Sequence, residues 1–296
     1  MYKTFVDRTN LLEKDFLSVL VIVANTLSWY FPFYAFFVNI LGKSILLAAL
    51  SIHYVGAIGF AFMGTVLTKK FSSRNSFLCF WMLIGVTSSA MMIILDTGNI
   101  AYLLLVSFFS GISLGLGFPT CLAYFGDHTR ENNRGRLGGI AFFASGLCML
   151  LFGLLISFST FTVGAMLFTL WRGLGLILFY LTKPKQEHKP QVPAVSFKSV
   201  LINRSLVLYL VPWAMFSLVN FLEIPMISAG ANVLFGASFT FLIPMSEYGI
   251  GGFIALIGGA FADTIGRKRI VIFGFMVLGI AYAVLGLFPN ETLAWY

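Results

Sequence analysis

Gly259-Ala260-Phe261-Ala262-Asp263-Thr264-Ile265-Gly266-Arg267-Lys268-Arg269 stands between two long apolar stretches. A small residue is followed four positions on by a carboxylate, then by a glycine and three consecutive cations. Such a segment is a short, highly charged turn. Hydrocarbon-like flanks on both sides place it in water at a membrane face. The plainer reading is a positively charged turn that only orients the chain.

Composition extends that reading to the whole sequence. The 296 residues are 59% hydrophobic and 10% charged, and the mean hydropathy is +0.93. A soluble domain carries about 25% charged residues, so lipid is the solvent this chain requires. The net charge of +8 does not point to nucleic acid, because the cations form small clusters between apolar stretches and no single basic face. Cys79, Cys121 and Cys148 lie in or at the ends of apolar stretches with no C-x-x-C spacing. They read as small buried hydrophobes, with no disulfide and no metal site expected. No Walker loop, H-E-x-x-H, G-x-S-x-G or dinucleotide fingerprint occurs. The sequence is therefore read as no enzyme, with no catalytic residue and no cofactor.

Crossing a hydrocarbon core of about 30 Å takes roughly 20 helical residues. Nine segments qualify, at 16–40, 44–68, 76–95, 100–124, 137–159, 161–182, 205–226, 234–262 and 270–289. None alternates like a barrel strand, and backbone groups cannot stay unpaired in lipid, so all nine are read as helices of an all-α polytopic membrane protein. With the N-terminus inside, 17 of the 19 Lys and Arg fall on the inner side, the bias expected of cytoplasmic loops. Lys3, Arg8 and Lys14 precede an apolar run too long for a cleaved signal, so it is expected to remain as the first span. The longest hydrophilic stretch runs from Lys183 to Arg204 and carries Pro184, Pro190 and Pro193. Helix cannot continue through that spacing, which predicts a cytoplasmic linker at 183–204. It would join an N-terminal six-helix bundle, 1–182, to a partial C-terminal bundle, 205–296.

A repeat supports the split. Gly64, Thr68, Lys69, Lys70 and Arg74 follow the second span as Gly259, Asp263 and the cations follow the eighth, 195 positions later. The first copy lacks the carboxylate and the turn glycine. The second copy resembles the G-x-x-x-D-x-x-G-[RK]-[RK] signature of the major facilitator superfamily, with Gly259, Asp263, Gly266, Arg267 and Lys268 on matching positions and Thr264 where an arginine is usual. That resemblance implies a six-plus-six helical bundle that moves a solute by alternating access. It also implies twelve spans, so this sequence reads as truncated within a tenth. Proton-coupled drug exporters of the family carry an arginine in span 4, where Ser107 stands, and a proline in span 5, where 137–159 has none. Both departures argue against that subgroup. Asp127, Arg134 and Arg136 in the loop after span 4 are similar to a family loop. Together with the signature residues they are assigned a gating role.

Ionisable groups within lipid cost about 2.5–3.5 kcal/mol each, so each needs a reason. Glu247, in mid-span 8 beside Pro244, Gly249, Gly251 and Gly252, is read as the leading functional carboxylate, binding a cationic group or carrying a proton. Trp213, Asn220 and Glu223 share a face with Ser217 on span 7, and Asn25 and Trp29 share one with Ser28 and Pro32 on span 1. These five, with Glu247, are the candidate substrate contacts. Pro32 is expected to kink span 1. Arg172 is read as pairing with a carboxylate or snorkelling, with an anion counter-ion role as the alternative. His53 lies on a face with Ala57, Phe60 and Gly64 that reads as packing, with a proton relay as the alternative.

The expected function is secondary transport of a small solute across the plasma membrane, as a permease or symporter with protons as the candidate coupling ion. The alternatives are a non-transporting sensor or scaffold, or a non-functional fragment. The expected partners are the solute and the bilayer.

Overall fold

A computed structural model of the chain describes residues 14–96, 98–183, 202–204, 206–208, 210–219 and 242–288. Its helices are α1 Lys14–Asn39, α2 Lys43–Leu67, α3 Arg74–Ile93, α4 Ile100–Gly115, α5 Phe118–Asp127, α6 Arg134–Ser157 and α7 Phe161–Thr182. They continue with α8 Leu206–Val219, α9 Leu242–Ile265 and α10 Arg267–Leu287. Among the described residues, eight spans are long and apolar enough to cross a membrane, with α4 and α5 counted together, while α8 is apolar but shorter. The regular structure described is all helical. The chain divides into two compact units, Met1–Glu187 with Pro244–Phe273, and His188–Ile243 with Gly274–Tyr296.

Caps and turns set the helix limits. Ser73 accepts from the Ser76 amide at 3.1 Å and Asn99 from the Tyr102 amide at 3.0 Å. Each satisfies a donor that the first helical turn leaves unpaired. Gly266, with φ 109°, makes the turn from α9 into α10, a backbone conformation that disfavours a Cβ.

Span 4, expected over 100–124 with a kink at its proline, is interrupted between Gly115 and Phe118. Pro119 has no amide to offer the preceding turn. Gly117 fits beneath Trp81, where a Cβ would lie 2.1 Å from the indole. The Trp81 indole then donates to the Ser113 carbonyl at the break, at 2.6 Å. Pro32, by contrast, lies inside α1, which remains helical through to Asn39.

Within the first unit, α2 packs on α4, α3 on α4 and α7, and α1 on α6 and α7. α1 is the most enclosed helix, with Val19, Ile22, Trp29 and Phe33 wholly buried. α2 and α4 meet backbone to backbone. A Cβ on Gly111 would lie 2.1 Å from the His53 carbonyl oxygen, one on Gly115 2.0 Å from that of Ala57, and one on Gly64 1.9 Å from that of Leu116. The opposite face of α2 presents Leu47, Val55, Ile58 and Phe62 outward, an apolar surface suited to lipid. At one end, Arg74 pairs with Asp127 at 2.6 Å and lies over the Tyr124 ring. The Tyr124 hydroxyl in turn meets Ser18 of α1 at 2.9 Å.

Gly115→Val therefore forces α2 from α4 and should cost about 1–3 kcal/mol as an overpacked contact. Gly59→Val, on the same helix α2 with open space at its Cβ, should change little. Thermal unfolding of both variants in detergent checks this: equal midpoints would refute the backbone contact.

Candidate functional site

The charged turn is built around one carboxylate. Asp263 is the last acid of α9, and its side chain is 1% exposed. Asp263 Oδ1 accepts the Gly135 amide at 3.0 Å and Oδ2 accepts the Arg136 amide at 2.8 Å. These amides belong to the first turn of α6, whose own N-cap residue, Asn133, supplies no side-chain cap. A carboxylate 127 and 128 positions away thus does the work of an N-cap, placed where the helix dipole favours negative charge. Glycine makes the approach possible. A Cβ on Gly135 would lie 2.6 Å from Asp263 Oδ1, and one on Gly259 2.2 Å from the Gly135 carbonyl oxygen. The close contact continues along both helices through Gly139, Gly146 and Gly252.

The cations divide their tasks. Arg267 stands 3.8 Å from Asp263 and donates to the Glu131 carbonyl. Arg134 ties its own loop, with Nη2 donating to the Gly126 carbonyl at 2.8 Å and Nε to the Thr129 hydroxyl at 3.1 Å. Asp127 joins Arg74 instead of the α9–α10 turn. Lys268 is exposed. Thr264 folds back on its own helix, donating to the Ala260 carbonyl at 3.2 Å. In the first copy of the repeat, Thr68 does the same, donating to the Gly64 carbonyl at 2.7 Å.

A second polar centre lies inside the bundle. Arg172 has no exposed surface. Its Nη1 donates to Asn25 Oδ1 and to Thr26 Oγ1, each at 2.9 Å. Its guanidinium carbon is 4.6 Å from the Trp29 ring and 4.7 Å from the Trp81 ring. The expectation that it pairs with a carboxylate or snorkels is corrected: the side chain stays in the interior, and no carboxylate among the described residues pairs with it. Desolvated cation–π contacts are worth about 2 kcal/mol each, which offsets much of the insertion cost. Asn25 and Trp29, expected as substrate contacts, hold this centre. Asn25 Nδ2 donates to the Trp171 carbonyl at 2.9 Å, which fixes its oxygen toward Arg172. The Trp29 indole donates to Ser89 at 2.7 Å.

His53 forms a third centre, also fully buried. Nε2 is 2.7 Å from the Tyr30 hydroxyl and Nδ1 is 2.7 Å from Ser110 Oγ. Ser110 donates its proton to the Ser107 carbonyl, so it accepts from Nδ1–H, and Nε2 accepts from Tyr30. The face it shares with Ala57 and Gly64 packs on α4 as expected.

Trp213 is 53% exposed on α8, its ring 5.6 Å from that of Phe216. Asn220 and Glu223 lie outside the described residues. Glu247 is exposed in the second turn of the described part of α9. It is about 27 Å from Ile265 at 1.5 Å per residue, and the first part of its expected span, 234–262, lies outside the described residues. Its neighbour Tyr248 contacts Phe31 of α1, ring to ring at 5.3 Å. Sequence reasoning missed Trp81, Gly85, Thr26 and Tyr30. The shared face of Trp81, Gly85 and Ser88 on α3 was the available signal.

Comparison with protein families fits this architecture to a known class. A search of curated proteins returns no match. The family model described as Major Facilitator Superfamily matches residues 16–296. With eight membrane-length spans among the described residues and a Gly259–Lys268 turn laid against α6, this multi-pass membrane protein belongs to the major facilitator superfamily, whose members transport small solutes.

Proposed function

We propose that the chain moves a small solute across the plasma membrane by alternating access, as a permease or symporter, with its N-terminus and the charged turn in the cytoplasm. The observation that carries this reading is the Asp263 carboxylate seated on the α6 amides. That contact is a latch: it joins residues of 1–182 to residues of 205–296, across the linker 183–204, and its opening would release one half from the other. Gly259, Gly266, Arg267 and Lys268 shape and charge the latch, and Arg134 and Arg136 present the α6 end to it. Asp127 supports that end from α5 through Arg74.

Asn25, Trp29, Trp213, Asn220 and Glu223 are the proposed solute contacts, supported by the aromatic, amide and carboxylate groups that share one face on each segment. Protons are the proposed coupling ion and Glu247 their carrier, supported by its carboxylate, its exposure on α9 and the neighbouring Gly249, Gly251 and Gly252.

Asp263→Asn removes the charge and weakens two charge-assisted bonds. A loss of about 1.4 kcal/mol would shift a latch equilibrium tenfold. Amide hydrogen exchange at Gly135 and Arg136 should then quicken by about tenfold, and solute turnover in proteoliposomes should fall while affinity stays. Unchanged exchange at both amides would remove the latch.

Glu247→Gln should abolish accumulation driven by a proton gradient and leave solute exchange intact. Full pH-driven accumulation in that variant would show that the proton travels elsewhere. Ligand-induced stabilisation with no flux in either vesicle assay would favour a sensor.

A further inference from the structure

The guanidinium of Arg172 carries five N–H donors, and the interior uses only part of them. Nη1 is satisfied by Asn25 and Thr26. Nε and Nη2 are buried and meet no acceptor. An unsatisfied buried donor is destabilising, the more so when charged, so two bare nitrogens on one cation are an unfavourable arrangement. The aromatic faces of Trp29 and Trp81 stabilise the charge but accept nothing in the guanidinium plane. Gly85 makes room for the group itself, since a Cβ there would lie 2.8 Å from Nε.

We propose that Arg172, with Asn25, Thr26, Trp29 and Trp81 around it, forms a binding site for a small monovalent anion within the first unit. The ligand is chloride or the carboxylate of a small solute. The site holds one cation, so a single negative charge neutralises it. No second cation among the described residues joins Arg172 to hold a dianion. An in-plane oxygen or halide would take the hydrogens that Nε and Nη2 leave unpaired, and in this dry surrounding the ion pair would be far stronger than in water. Asn25 is built to orient the group, its amide nitrogen anchored to Trp171 and its oxygen turned to Nη1. The site does not depend on the transport reading, because a scaffold with this bundle would bind the same ion.

Trp29 and Trp81 make the test direct. The full chain, reconstituted in nanodiscs, is titrated with sodium chloride and with sodium acetate against sodium sulfate at constant ionic strength, reading tryptophan fluorescence and the thermal midpoint. A saturable response to a monoanion is expected. A response to chloride alone assigns a halide, and a response to acetate a carboxylate. Arg172→Gln should abolish it, and Arg172→Lys, which keeps the charge and loses the planar fork, should weaken it by about tenfold. Should the Gln variant fail to fold, the Lys variant decides. The proposal is overturned if neither anion gives a saturable response beyond that of sulfate, or if Arg172→Lys responds at the wild-type concentration.

Discussion

In hydrocarbon, an apolar side chain gains nothing by leaving lipid for another helix, so association rests on close packing and on polar contacts. This constraint organises the molecule. Bulky apolar residues such as Leu47, Phe62 and Phe158 point outward, while the contacts between helices fall to glycine. Gly111, Gly115 and Gly64 bring α2 against α4, and Gly135, Gly139, Gly146, Gly252 and Gly259 bring α6 against α9. At each of these positions a single methyl group would strike backbone or Asp263, so the packing tolerates little sliding.

The Asp263 contact depends on the same constraint. Its two hydrogen bonds form because Gly135 and Gly259 let the helices approach until a short carboxylate reaches main-chain amides. Close packing and electrostatics are here one device: lengthening the approach by the width of a side chain would leave a buried carboxylate and two buried amides unpaired. The first copy of the repeat keeps the glycine contact, at Gly64, but has Thr68 for the acid. It therefore retains the packing half of the device without the electrostatic half.

Span limits were legible to within about two residues for α1 to α3 and for α7, because apolar length and flanking cations are local signals. The break in span 4 was half legible. Pro119 announced a disturbance, but its position depends on Trp81, 36 positions before Gly117, which no local pattern reveals. Arg172 was misread for a related reason. The usual partner of an intramembrane cation is a carboxylate, whereas here two indoles, on α1 and α3, take that place.

The two interior polar centres and the helix that carries the charged turn meet on one helix. Consecutive residues of an α-helix point about 100° apart, so a run of three faces three neighbours. On α1, Trp29 meets Arg172 and Ser89, Tyr30 meets His53, and Phe31 meets Tyr248 beside Glu247. The buried cation, the buried imidazole and the carboxylate-bearing helix are thereby referred to a single rigid rod. Rotating α1 to improve one contact would move the other two by the same angle. A helix fixed on three sides has few arrangements open to it, and the contact with Tyr248 is the one that reaches α9, the helix that carries Asp263 at its other end.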